Sequence, residues 1–194
     1  MANINGNEIY FGIIGEVGSG GGGWSDWLVN LVPAMTNYTT PRGEVVYSGN
    51  YGTGADETRL AWTAFDGIDS QTYSSSAWSD DRNPIDGSPN SVYCGYIFPM
   101  GIEVKVDNVE VASFSDRNYD AVIQIYDGTN WTTAASNISI PSGGYNKQSV
   151  SLGGAICKGV RLCFVGGEAY MAQPRYGCAI CEINVYGYTK CGAT

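Results

Sequence analysis

The side chains that could do chemistry in this chain are acids, amides, tyrosines and thiols, because its 194 residues include no histidine. That absence removes Ser-His-Asp and Cys-His nucleophilic catalysis and every imidazole metal ligand. The acids gather in two places. Asp66-Gly67-Ile68-Asp69, followed by Thr72, offers carboxylate, hydroxyl and carbonyl oxygens within one short loop. A hard cation such as Ca²⁺ takes six to eight such oxygens at about 2.3–2.6 Å, and Gly67 lets the backbone turn sharply around it. The same residues also read as an Asx-turn, in which Asp66 accepts local backbone amides. Asp80, Asp81 and Asp86 crowd a second loop. A glycosidase would need two carboxylates about 5–9.5 Å apart, one with a raised pKa. Three acids in a polar loop read instead as solvated or metal-binding, and no nucleophile is paired with an orienting group. Catalysis is not expected.

The elements that must hold these residues are strands. Hydrophobic residues make up 43% of the chain and charged ones 15%, and 27 glycines punctuate it in short groups. This balance suits β-structure with many turns. Ile102, Val104 and Val106 alternate with Glu103, Lys105 and Asp107, and Ile123 and Ile125 flank Gln124. Val160, Leu162 and Phe164 share one strand face, as do Cys181, Ile183 and Val185. Further strands are expected over Glu44 to Ser48, Val92 to Phe98 and Gln148 to Leu152, and Asp127-Gly128 is a turn before Trp131. Eight to ten strands with no long helix predict an all-β, two-sheet sandwich. Trp24, Trp27, Leu28 and Leu31 recur at helical spacing and Pro33 closes the pattern, so residues 24–35 are expected to hold a short helical or connecting segment. Trp62 and Trp131 are expected to pack in the core.

Residues 1–23 differ from the rest. Ile9, Tyr10, Phe11, Ile13 and Ile14 form an apolar patch, followed by a glycine-rich linker ending at Gly23. Such a peptide cannot bury its own apolar face, so it is expected to dock on another protein or another copy of the chain. It lacks a basic leader and is too short to span a bilayer, which argues against a secretory signal and membrane insertion. Net charge is -9 with ten dispersed Lys and Arg, so nucleic acid is not an expected partner. Cys94, Cys157, Cys163, Cys178, Cys181 and Cys191 follow no zinc spacing and are expected to be small, buried and mostly reduced.

Several segments, in order, resemble the discoidin or F5/8 type C family and related galactose-binding-like carbohydrate-binding modules. They are Ala64 to Ser75, Tyr96 to Pro99 with Ile102 to Val104, Ser115 to Asn118 with Ala121 to Trp131, Gly159 to Leu162, and Cys181 to Gly187. The resemblance covers about Thr36 to Tyr188 and implies a jelly-roll domain over residues 36–190. It also implies a structural Ca²⁺ held by Asp66, Asp69 and Thr72 and closed by Glu182 from the last strand. Glu182 stands among uncharged strand residues and needs a partner.

In such modules a glycan would be held by rings stacked on its C–H faces and by planar polar groups. The rim loops supply Tyr73, Trp78, Asp80, Arg82 and Asn83 on one side, and Tyr170, Arg175 and Tyr176 on the other. For Trp78 and Tyr170, loop packing is an equal reading. The N-terminal peptide is similar to the attachment end of a bacteriophage fibre or decoration protein. The expectation is therefore a non-catalytic virion-surface protein, made in host cytoplasm, that binds other virion proteins through the peptide, forms homo-oligomers and displays the jelly roll to cell-surface or mucosal glycan. A purely structural decoration protein and an extracellular bacterial carbohydrate-binding module are the alternatives.

Overall fold

A computed structural model describes residues 23–50, 59–72, 77–79, 92–99, 102–115, 118–167 and 178–190. Among the described residues nine strands follow one another: β1 (Val29–Asn30), β2 (Glu44–Tyr47), β3 (Val92–Ile97), β4 (Val104–Ser115), β5 (Tyr119–Tyr126), β6 (Trp131–Ile140), β7 (Gly144–Cys157), β8 (Gly159–Gly167) and β9 (Cys178–Thr189). They form two antiparallel sheets, ordered β1-β9-β4-β7 and β2-β3-β8-β5-β6. Among the described residues the helical structure is a 3-10 turn over Ala61–Phe65. The fold is an all-β jelly-roll sandwich.

Alternation builds the core. Val104, Val106, Val109 and Val111 of β4 face Val160, Leu162 and Phe164 of β8 across the two sheets, with Ala121 and Ile123 of β5 and Cys94 and Tyr96 of β3. The β5–β6 hairpin turns at Asp127, whose Oδ1 accepts the amides of Thr129 at 2.6 Å and Asn130 at 2.7 Å. Cys94, Cys157, Cys163 and Cys181 are buried free thiols.

Two local readings need correction. Residues 24–35 are not helical. Trp24 bridges Lys190, Val29 and Asn30 pair with Gly187 and Tyr186, and the Leu31 amide donates to the Val185 carbonyl at 2.7 Å. The open edge of β9 offers backbone partners that a helix this short could not match from its own propensity. Trp27 is left 67% exposed, while Leu31, Val32 and Met35 enter the core.

The second correction is on β9. Ala112 pairs with Glu182 but Ser113 pairs with Ile180, so the ladder slips at Cys181. This bulge breaks the two-residue period. Ile180, Ile183 and Val185 face the core, whereas Cys181 joins a separate small cluster with Ala77, Ala112 and Ala179.

Candidate functional site

Strand alternation positions the site. Ile183 and Val185 face the core, so Glu182 between them lies on the opposite face beside the Asp66–Thr72 loop, and the bulge places Cys181 on that face with it. That loop is anchored from behind by the 3-10 turn, whose Ala61, Thr63, Ala64 and Phe65 are buried, and by the Met35 amide donating to the Phe65 carbonyl at 2.8 Å. The chain then bends through Gly67 at φ +78°, a left-handed conformation that glycine adopts without strain.

Asp66 forms the Asx-turn read from sequence, its Oδ1 accepting the Ile68 amide at 2.8 Å. Glu182 also accepts backbone amides, from Gly67 and Ile68. The loop and β9 therefore meet through a carboxylate held against two amides. Further along, the Thr72 carbonyl accepts from Ser70 Oγ at 3.3 Å and from Cys181 Sγ at 3.9 Å.

The electrostatics here are unusual. Glu182 is 4% exposed, and burial, then the charges of Asp66 and Asp69, push its carboxyl up to about 9. Burial raises Asp66 to about 6 against the opposing pull of the Ile68 amide. Two buried oxygens, Glu182 Oε2 and Asp69 Oδ1, have no hydrogen-bond partner. Burying such groups unsatisfied is costly.

A chain of polar contacts leads away from this cluster over the outer face of the four-stranded sheet. Tyr145 on β7 donates its hydroxyl to Asp69 Oδ2. Lys147, two residues on, lies 3.9 Å from the same oxygen and 2.8 Å from Glu110 Oε1 on β4. Asn184 on β9 donates to Glu110 at 3.4 Å, and Asn30 on β1 donates to Asn184 at 2.7 Å.

A divalent cation can be tested against these residues. Every donor is an oxygen, two buried oxygens lack partners, and three acids repel one another; each observation fits a hard cation. Among the described residues no three acidic or thiol side chains already close on one point. A bound ion would draw the carboxylates together and complete its shell from loop carbonyls.

Of the residues expected at a metal, Asp66 and Asp69 lie near enough to Glu182 to act on its charge, without the three closing on one point. Thr72 is exposed and joins through its carbonyl and the Cys181 thiol. Trp78, expected at the ligand rim, is instead core. It is 1% exposed, bridges Ile180 through its backbone, donates Nε1–H to the Gly49 carbonyl at 2.8 Å and tilts against Phe164. A large ring beside an open strand edge gains more from burial than from a rim position. Tyr73, Asp80, Arg82, Asn83, Tyr170, Arg175 and Tyr176, and the anchor residues Ile9, Tyr10, Phe11, Ile13 and Ile14, lie outside the described residues.

Sequence reading missed Tyr145, Lys147 and Glu110. Their alternation on β7 and β4 is legible, but the register that lays Lys147 beside Ala112 and Glu182 is not. It also misplaced Trp131. That ring lies half-buried on the outer face of the five-stranded sheet, stacked on Tyr126 with centroids 5.0 Å apart and on the Arg161 guanidinium at 4.4 Å. Trp62 is half-buried against the core.

The architecture defines a class. This is the two-sheet jelly-roll fold, the architecture also seen in solved carbohydrate-binding modules. No protein-family profile matches the chain, and no curated protein matches it by sequence. Solved structures do match. The family 32 carbohydrate-binding module of C. perfringens NanJ, in complex with galactose, superposes with a TM-score of 0.53 at 16% identity, over 74% of this chain and 93% of that one. Chitosan-binding module 2 of a chitosanase/glucanase from Paenibacillus sp. IK-5, in complex with chitotriose, gives 0.52 at 19% identity, over 75% and 96%. A pectin-binding carbohydrate-binding module gives 0.51 at 17% identity, over 73% and 87%. Other matches are to parts of longer chains: this chain spans 28% of SpGH29 and 32% of a truncated AlyQ with CBM32 and alginate lyase domains.

Proposed function

We propose that this protein is a carbohydrate-binding module, acting without catalysis, in which a Ca²⁺ held by Asp66, Asp69, Glu182 and loop carbonyls organises the rim that binds glycan. The observation that carries the cation is Glu182 Oε2, buried and unpartnered on a carboxylate that faces two further acids. Bound there, Ca²⁺ would supply the positive charge that favours the ionised forms of Asp66 and Glu182, both raised by burial. The Asp66–Thr72 loop runs directly into residue 73, so fixing its end fixes where the first rim loop begins.

Glycan binding is supported by the fold shared with modules solved on galactose and chitotriose. With Trp78 assigned to the core, the rim residues left to contact sugar are Tyr73, Asp80, Arg82, Asn83, Tyr170, Arg175 and Tyr176. Display on a virion surface, through residues 9–14 and in several copies, is the finer reading. It is supported by the apolar peptide and glycine linker, and avidity would strengthen a shallow sugar site.

The test is a glycan array on multimerised full-length protein, run with Ca²⁺ and with EDTA. Binding to a defined glycan class that EDTA weakens is the expected result. No binding in either arm overturns the glycan reading and favours a purely structural role. Mass measured in solution for the full chain and for one starting at Gly23 tests self-association. A start at Thr36 would remove β1 and confuse the comparison.

A further inference from the structure

Asp69 differs from the other two acids in being gripped from outside the loop. Its Oδ2 accepts the Tyr145 hydroxyl and faces Lys147, both on β7, while its Oδ1 is buried with no partner. β7 is the far strand of the four-stranded sheet, two strands away from Glu182 on β9. Tyr145 and Lys147 occupy alternate positions of β7 opposite Phe114 and Ala112 of β4, and Ala112 in turn pairs with Glu182. One row of side chains thus runs from β9 across β4 to β7; Asp69 contacts its β7 end and acts on Glu182 at its β9 end through charge.

We propose that Tyr145 is a positioning residue for the cation site: by binding Asp69 Oδ2 it turns Oδ1 towards Glu182, with Lys147 holding the outer side. This inference rests on the cation reading above. A carboxylate free to rotate offers either oxygen to an ion; one with an oxygen committed to a phenol offers only the other, already placed. Outer partners that orient a ligand in this way typically raise metal affinity about 10–100-fold. Tyr145 is 37% exposed and lies outside the core, so losing its hydroxyl removes this contact without opening a cavity.

The experiment titrates full-length protein with Ca²⁺ by calorimetry and with Tb³⁺ by sensitised luminescence. Wild type, Tyr145→Phe, Asp69→Asn and Tyr188→Phe are compared, the last lying under Lys105 away from the site. The expected result is binding by wild type and Tyr188→Phe within twofold of each other, about 10-fold weaker binding by Tyr145→Phe, and a loss at least as large for Asp69→Asn. Melting temperatures without cation should be close for wild type and Tyr145→Phe.

If wild type binds and Tyr145→Phe binds equally well, the positioning role is overturned and the cation site stands. Unchanged affinity in Asp69→Asn overturns it too, even should Tyr145→Phe fail to fold. If wild type takes up neither ion at millimolar concentration, the cation reading itself falls and this inference with it.

Discussion

Each sheet carries a group of polar side chains on its outer face, and the two groups are built to opposite ends. On the five-stranded sheet Arg161 lies between Tyr93 and Trp131, its guanidinium 4.5 and 4.4 Å from the two rings, and donates through Nε to Gln124 Oε1 at 2.8 Å. The Cys163 thiol shares that acceptor at 3.3 Å. Gly95 makes the packing possible, since a Cβ there would sit 2.2 Å from Arg161 Cβ. Cation, rings, amide and thiol satisfy one another. On the four-stranded sheet the Asp66, Asp69 and Glu182 group repels itself and leaves two buried oxygens without donors. The first is closed and works as a strut. The second is incomplete without something positive. Burial of polar groups is therefore not what marks a site in this fold; failure to satisfy them is.

The largest effect that separates the two regions is in pH and cation. Glu182 and Asp66 are raised to about 9 and about 6, so folding favours their neutral forms. Their contribution is complete below the unfolded carboxylate pKa and is lost as pH rises through those two values. Cation-free protein should lose on the order of 3 kcal/mol between pH 5 and pH 9 from this group, at ~1.4 kcal/mol per pH unit reduced for relaxation and for the solvent that screens Asp66. Millimolar Ca²⁺ should flatten or reverse that slope in thermal melts. Glu182→Gln, keeping shape without charge, should flatten the cation-free slope and abolish the Ca²⁺ response. A Glu182→Gln protein that still gains stability from Ca²⁺ would return the acid group to the closed kind.

The closed region should respond to neither variable. Arg161→Ala removes two ring contacts and a hydrogen bond and exposes Gln124, an expected loss of about 2 kcal/mol. The loss should be the same with EDTA and at either pH. Arg161→Lys should recover little, because an ammonium cannot fill a planar slot between two rings while bonding Gln124. Recovery of most of the stability by lysine would show that charge, not the stacked plane, holds this face.

Strand positions were legible because burial on one face imposes a two-residue period, as along Val104 to Val111 and Val160 to Phe164. What escaped sequence reading is where that period is broken or overridden. The bulge at Cys181 leaves no local mark, yet it decides that Ile180 rather than Cys181 enters the core and that Cys181 joins Glu182 on the outer face. The Trp24 to Leu31 spacing is truly helical, and a neighbouring strand edge outcompeted it. Trp78 shows the same competition at a single residue: its type suits a sugar platform, and the Gly49 carbonyl with the Ile180 backbone fixes it inside. Trp78→Ala should accordingly cost about 4 kcal/mol of stability. A stable variant that had lost only glycan binding would restore the rim assignment.

The smallest effect asks whether the contacts around the acid group hold the sheet together or merely surround it. Lys147 pairs with Glu110 at 2.8 Å, but its side chain is 41% exposed, and pairs of this kind contribute ~0.5 kcal/mol, less as salt rises. Lys147→Met should lower cation-free stability by about that much in dilute buffer and by nothing measurable in 1 M NaCl, while the loss in Arg161→Ala persists in both. Water makes the difference. Lys147 gives up little hydration to make its ion pair, so salt competes for it, whereas the Arg161 guanidinium has exchanged water for two ring faces and an amide that salt cannot replace. Equal, salt-resistant losses in the two variants would mean that the outer network of the four-stranded sheet is as closed as the Arg161 stack, and that the unpartnered oxygens of Asp69 and Glu182 are a defect in a strut rather than the opening of a site.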